Sequence, residues 1–104
     1  MTVKLPREDD IEQQLVRRVR ALGGRCDKVV SKGSRGFFDR VVVLPGRVVF
    51  VECKRPKGGR LSPHQISLHA QYRALGAAVA LVKNSDDIDR LLSKEKAAEM
   101  IRDL

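Results

Sequence analysis

The stretch Phe38-Asp39-Arg40-Val41-Val42-Val43-Leu44-Pro45-Gly46-Arg47-Val48-Val49-Phe50-Val51-Glu52-Cys53-Lys54 decides the fold. Residues 38–44 and 48–54 are two valine-rich runs with Pro45-Gly46 between them, the pattern of a β-hairpin. Side chains alternate along a strand, so Glu52 and Lys54 share a face with Val48 and Phe50, while Val49, Val51 and Cys53 face the other way. Both faces are apolar up to Glu52, as in a buried central strand. An acid and a lysine at the end of such a strand are costly unless paired or bound to something. If Leu44 pairs with Arg47, Asp39 arrives directly opposite Glu52, with Cβ atoms about 4.5–5.5 Å apart. Two carboxylates there repel, and a divalent cation turns the repulsion into attraction, because hard cations take carboxylate oxygens. One extra loop residue would put the two acids on opposite faces. Pro-Gly is not a favoured two-residue hairpin turn, so both registers stay open at this level.

Outward from the hairpin, the flanking sequence alternates helix and strand signals. Upstream, Ile11, Leu15, Val19 and Leu22 follow helical spacing over 9–22, and Gly23-Gly24 stops that helix. Residues 25–30 read as a short strand, and Lys32-Gly33-Ser34-Arg35-Gly36 as a basic glycine-rich loop. Downstream, residues 55–61 form a second basic loop. Ser62 and Pro63 open a helix that runs to about Gly76. Ala78–Val82 is a short buried strand, Ser85–Leu92 a helix, and about Lys94–Arg102 a final helical stretch. The order α-β-β-β-α-β-α predicts an α/β fold with a central mixed sheet of about four strands flanked by helices.

Composition bounds the chemistry. The chain has 104 residues, 42% hydrophobic and 33% charged, which reads as a single globular domain over 1–104. Lys plus Arg number 21 against 13 Asp plus Glu, a net charge of +8, which points to a polyanionic partner. Two cysteines, Cys26 and Cys53, are too few for a disulfide scaffold or a cysteine-rich zinc site and fit a reducing compartment. No apolar run reaches the roughly 18 residues of a membrane span, and the charged segment Met1–Asp10 is no secretory signal. With no Trp and only Phe37, Phe38, Phe50 and Tyr72, a base-stacking platform is not expected, so the charge points to phosphates rather than bases.

Two further residues admit two readings each. Glu12 falls beside Leu15, Val16 and Val19, at the edge of the buried stripe of the first helix; it is either a ligand or base candidate, or a first-turn acid favoured by the helix dipole. Gln65 closes the S-x-x-Q capping box of Ser62-Pro63-His64-Gln65, which explains it without chemistry. His64 and His69 are expected at the surface. Asp86, Asp87 and Asp89 read as dipole-favoured acids in a first helical turn.

With Asp39 followed by Glu52-Cys53-Lys54 at the end of the next strand, the chain resembles the PD-(D/E)XK nucleases. The helix bearing Glu12, the segment Arg35-Gly36-Phe37-Phe38-Asp39, the segment Val51-Glu52-Cys53-Lys54, the segment Leu61-Ser62-Pro63-His64-Gln65 and the tail from Gly76 to Leu92 are similar to the VRR-NUC (virus-type replication-repair nuclease) branch, in its stand-alone phage or bacterial form. The likeness spans about residues 10–92. Phe38 stands where that family usually has proline. The resemblance implies a restriction-endonuclease-like fold and Mg²⁺- or Mn²⁺-dependent hydrolysis of DNA phosphodiesters. Asp39 and Glu52 would hold the metal, with the Cys53 backbone carbonyl a further ligand, and Glu12 would ligate it directly or through water. Lys54 would orient the attacking water and offset phosphate charge, and Gln65 would stand near the active site. The basic loops, with Lys32 and Arg35 on one side and Arg55, Lys57 and Arg60 on the other, would clamp the backbone. The resemblance further implies branched or four-way-junction DNA as substrate, a homodimer with two related sites, and a cytoplasmic setting in a bacterial or phage-infected cell. A non-catalytic DNA-binding module on the same fold is the competing reading, and an RNA- or protein-interaction domain has only the charge in its favour.

Overall fold

The computed structural model describes residues 6–30 and 37–102, with 94–102 described as backbone only. The elements are α1 (Glu8–Ala21), β1 (Arg25–Lys28), β2 (Arg40–Leu44), β3 (Arg47–Cys53), α2 (Pro63–Ala74), β4 (Ala78–Val82) and α3 (Ser85–Arg102). They build a four-stranded mixed sheet in the order β1-β2-β3-β4. Strands β1, β2 and β3 are antiparallel neighbours, and β3 pairs parallel with β4. A parallel pair cannot be joined by a tight turn, and α2 supplies the required crossover.

The hairpin closes in the two-residue register. Leu44 pairs with Arg47 and Arg40 with Val51. Gly46 has φ +75°, which only glycine adopts without strain, and it follows a proline; this is the signature of a type II turn. The ladder stops at Arg40, one residue short of Asp39. The residues on one sheet face, namely Cys26, Val42, Leu44, Val49, Val51, Cys53 and Val82, are buried against Ile11, Leu15, Val16 and Val19 of α1 and Ile88 and Leu91 of α3. Burying each such side chain contributes about 1.5–3 kcal/mol, and together they fix α1 and α3 on this face. An ion pair between Arg18 and Asp89 (2.6 Å) and a hydrogen bond from Gln14 to Ser85 (2.8 Å) join the two helices.

The other face is covered mainly by α2. There Phe37, Phe38, Phe50 and Tyr72 pack edge to face or tilted, and His69 stacks on Phe38 at 4.4 Å. Cover runs out toward the turn, where Val43 and Val48 are 38% and 49% exposed. Strand β3 is therefore sealed on one face and only half covered on the other.

Several boundaries differ from the sequence expectation, α1 and β3 by one residue at each end. Strand β1 ends at Lys28 rather than residue 30, with Val30 80% exposed. Residues Phe38 and Asp39 precede β2 instead of opening it. The two C-terminal helices are one, because nothing between Leu92 and Lys94 breaks a helix. No helix among the described residues is long and apolar enough to cross a membrane.

Candidate active site

Asp39 sits where the chain enters β2 and is hooked to both neighbouring strands. Its backbone N–H donates to the Val51 carbonyl (3.0 Å), and its carbonyl accepts from the Val29 N–H (3.1 Å). Its carboxylate accepts a hydrogen bond from the Cys53 N–H at 2.8 Å. That bond uses a donor at the end of β3 and holds Asp39 beside Glu52.

Glu52 is 1% exposed. Its Oε2 accepts from the Gln65 side-chain amide at 2.9 Å and lies 3.5 Å from the Lys54 ammonium. Its Oε1 is buried and meets no partner among the described residues. Ionising a buried carboxyl whose one oxygen has no partner is costly, so this environment disfavours the charged form of Glu52. Burial first, then the neighbouring Asp39, push its carboxyl up to about 8, against the opposing pull of Lys54. Cys53 lies between them in sequence but turns its thiol into the core, where burial pushes its pKa up, so its side chain is inert.

Gln65 makes both the capping bonds and a bond to Glu52. Its backbone N–H donates to the Ser62 hydroxyl (3.1 Å), and its Oε1 accepts from the Ser62 N–H (2.9 Å), completing the capping box. Its Nε2 remains for Glu52. The start of α2 is thus pinned to the carboxylate at the end of β3.

Glu12 lies at the edge of the buried stripe of α1, as its spacing predicts, and its carboxylate is engaged by a strand residue. Glu12 is paired with Arg40, Nε to Oε2 at 2.7 Å, with each side chain 12% exposed. The carboxylate that joins Asp39 and Glu52 is Glu8, one turn earlier; one oxygen from each of the three lies within 4.8 Å of the others. Partial burial raises the Glu8 pKa, with Asp39, Glu12 and Asp9 adding to the rise and Lys54 opposing it. The helical spacing predicts a start at residue 9, whereas α1 begins at Glu8, which brings that acid onto the helix. The i, i+4 spacing of Glu8 and Glu12 was the available signal.

A groove of about 840 Å³ opens beside this cluster. Arg7, Glu8, Asp9 and Glu12 form one wall, and Lys54, Arg55, Lys57 and Arg60 the other. The basic wall depends on Gly59. A Cβ there would lie 2.4 Å from the Arg55 carbonyl oxygen and 3.0 Å from the Lys54 Cβ, so only glycine lets the loop fold back on Lys54. Arg55, Lys57 and Arg60 therefore gather beside the carboxylates, as expected from the sequence. Lys32 and Arg35 lie outside the described residues. Arg7, at the mouth of the groove, was not anticipated.

The histidine expectation needs correction for His69. His64 is exposed, but His69 is 1% exposed because it lies one turn beyond Gln65 on the inward face of α2. Neither of its ring nitrogens has a partner among the described residues, and burial lowers its pKa. Phe38, in the position where proline was expected, fills this space and stacks on it. Asp87 and Asp89 bond Lys83, Arg90 and Arg18 and stand outside the carboxylate cluster.

The donor set suits a hard divalent cation. Three carboxylates converge, one of them carrying a buried free oxygen, and no thiol or imidazole among the described residues joins them.

No protein-family model matches the sequence. Individual relatives do. The chain is 47% identical over 91 residues to a protein named "Putative nuclease p44" from Acyrthosiphon pisum secondary endosymbiont phage 1, covering 86% of this chain and 96% of that one. It superposes on a solved structure named "VRR_NUC domain" with a TM-score of 0.74 and 32% identity, covering 85% of this chain and 97% of that one. Its mixed sheet flanked by three helices is the restriction-endonuclease-like architecture of that relative, and the chain belongs to the VRR-NUC family.

Proposed function

We propose that this protein is a metal-dependent nuclease that hydrolyses DNA phosphodiester bonds, with Mg²⁺ or Mn²⁺ as the metal. The observation that carries the reading is the buried Glu52 carboxyl. It is kept at a cost, with one oxygen free, within 4.8 Å of oxygens on Asp39 and Glu8 and beside a basic groove. A structural ion pair would satisfy both oxygens. Oxygen-only donors favour a hard cation over zinc or copper.

In this reading Asp39, Glu52 and Glu8 hold the metal, with the Cys53 backbone carbonyl a further ligand. A metal held by these residues would supply polarisation of the scissile phosphate and a water of lowered pKa. Gln65 fixes the Glu52 carboxyl through its bond to Oε2. Lys54, 3.5 Å from Glu52, positions the attacking water and offsets charge developing on the phosphate. Glu12, the helix acid that the resemblance implies as a ligand, would stand one step back from the metal while Arg40 holds it. Arg55, Lys57 and Arg60, joined by Arg7, Lys32 and Arg35, grip the backbone without reading sequence. Contacts of that kind suit recognition of shape, and branched or four-way-junction DNA is the proposed substrate. A domain this small reaches little of a junction, and a homodimer would present two sites related by a twofold axis.

The test is cleavage of nicked, flap, branched and four-way-junction DNA by the purified protein with Mg²⁺, Mn²⁺ or EDTA. Cleavage that requires metal and is lost in Lys54→Ala is expected. No metal-dependent cleavage of any substrate, with salt-sensitive binding retained, would leave a non-catalytic DNA-binding module. Light scattering at 11.6 kDa and micromolar concentration would count against the dimer.

A further inference from the structure

The three carboxylates of the cluster come from three elements, and they differ in how firmly each is held. Asp39 is fixed by the Cys53 N–H and Glu52 by Gln65. Glu8 is exposed, stands at the first residue of α1, and accepts no hydrogen bond from a described residue. Metal ligands must hold their places to within about half an ångström, so something has to register α1 against the sheet.

The apolar contacts of Ile11, Leu15, Val16 and Val19 keep α1 on the sheet. Hydrophobic contact is non-directional, however, and resists separation better than sliding or rotation. A directional contact is supplied by Arg40. Its Nε donates to the Glu12 carboxylate at 2.7 Å and its Nη1 to the Cys26 carbonyl at 3.2 Å. One planar guanidinium therefore ties α1, β1 and β2 together in a partly buried setting, where charge-assisted bonds are strong and geometrically exacting. The connection is short at both ends. Arg40 directly follows Asp39 in the chain, and Glu12 lies one helical turn beyond Glu8, on the same side of α1.

We infer that Arg40 is a positioning residue for the metal site, gripping Glu12 so that Glu8 is presented to Asp39 and Glu52. The inference rests on the metal-binding reading above. The Arg40–Glu12 pair acts through Glu8, and its effect must vanish when Glu8 can no longer ligate. The same grip keeps Glu12 from competing for the cation.

The test is calorimetric titration of the full chain with Mn²⁺ alone, in wild type, Glu8→Gln, Glu12→Gln, Arg40→Met, Arg40→Lys and the double variant Glu8→Gln/Arg40→Met. Circular-dichroism melts in EDTA accompany each titration. Arg40→Met and Glu12→Gln should each weaken Mn²⁺ binding roughly 10–100-fold, the usual effect of removing a residue that orients a ligand. Arg40→Lys should approach Arg40→Met, since an ammonium cannot span both acceptors in the guanidinium's geometry. In the Glu8→Gln background, Arg40→Met should add nothing. If Arg40→Met fails to fold, Glu12→Gln carries the test, because it keeps the side-chain shape and an acceptor. Wild-type affinity in Glu12→Gln and Arg40→Met, a further full loss in the Glu8→Gln background, or tighter binding through a released Glu12 would each overturn the inference while leaving the metal site standing. No Mn²⁺ binding by the wild type would overturn both.

Discussion

Replacing Glu52 by glutamine should destroy metal binding and yet stabilise the metal-free protein, by an amount that depends on pH in a way the structure sets. The Glu52 carboxyl is raised from 4.5 to about 8, chiefly by burial and by Asp39. A carboxyl whose folded pKa lies above its unfolded value binds a proton more readily in the folded state. Its contribution is therefore intact below about 4.5 and is lost progressively as pH rises through about 8. The slope across that window is about 1.4 kcal/mol per pH unit. Glutamine mimics the protonated acid in shape and accepts the same bond from Gln65, but it does not titrate. In EDTA, the stability of Glu52→Gln relative to wild type should climb by a few kcal/mol between pH 5 and pH 7. For a domain of this size that is a gap in Tm widening by roughly 10 °C or more. Lys54 faces a neutral side chain in the variant at every pH, and in the wild type only while Glu52 keeps its proton, so its attraction to the carboxylate is already contained in the Glu52 shift. Asp39 is relieved of a repelling neighbour, so the measured slope belongs to the pair of acids rather than to Glu52 alone. The assay is a set of thermal melts in EDTA from pH 5 to pH 8, repeated with millimolar Mn²⁺. Metal should raise the wild-type Tm by mass action and leave the variant unmoved. Tm curves that run parallel across pH in EDTA would refute the argument that Glu52 is held at a cost. A variant that still gains stability from Mn²⁺ would refute its place in the metal site.

Two other perturbations probe the surroundings of the cluster. Removing Arg55, Lys57 and Arg60 together should weaken DNA binding uniformly across sequences and lower the slope of log K against log salt by about 0.9 for each phosphate no longer neutralised; an unchanged slope in a filter-binding or fluorescence titration would show that these residues do not touch the backbone. His69→Leu replaces a fully buried imidazole whose ring nitrogens find no described partner, so it should be neutral or stabilising at pH 7. Because burial lowers the His69 pKa, wild-type stability should fall as pH drops below about 6.5 in part through this residue, and that acid-side fall should be shallower in the variant. A drop of more than about 2 kcal/mol at pH 7 in urea unfolding would mean that the imidazole makes a bond the described residues do not contain.

The hairpin was legible because its signals are local: period-two alternation, a turn dipeptide and an apolar run ending in charge. Once Leu44 meets Arg47, the positions of Asp39 and Glu52 follow from strand geometry alone, whatever packs around them. Gln65 was legible for a related reason, since a capping box fixes where a helix begins and hence which way its third residue points. Glu8, Arg40 and His69 were not legible, and for one shared reason. Each is placed by how a helix lies on the sheet, a quantity that periodicity does not encode. The pattern of Ile11, Leu15 and Val19 gives the buried stripe of α1 but not its axial position. Whether Glu8 or Glu12 reaches the carboxylates is therefore decided by Arg40, a residue that in sequence is only the first polar position of a valine strand. His69 is inward because Gln65 is inward, and Phe38 supplies the ring it lies on.

The buried free oxygen of Glu52 and the exposed Glu8 lie at opposite ends of one energetic arrangement. A site made only of buried acids would be too repulsive to fold without its cation, and one made only of exposed acids would not be rigid enough to select it. Here the cost is concentrated on Glu52, whose pKa near 8 lets it take up a proton when no metal is present. Metal binding at neutral pH must then displace that proton, so affinity should rise with pH up to about 8 and level off above it. Glu8, at the rim, can stay solvated until the cation arrives and needs only to be aimed. The hydrophobic core supplies the stability that this strain consumes. The Arg40–Glu12 grip supplies the aim, which is why the first helix carries two acids a turn apart with different tasks.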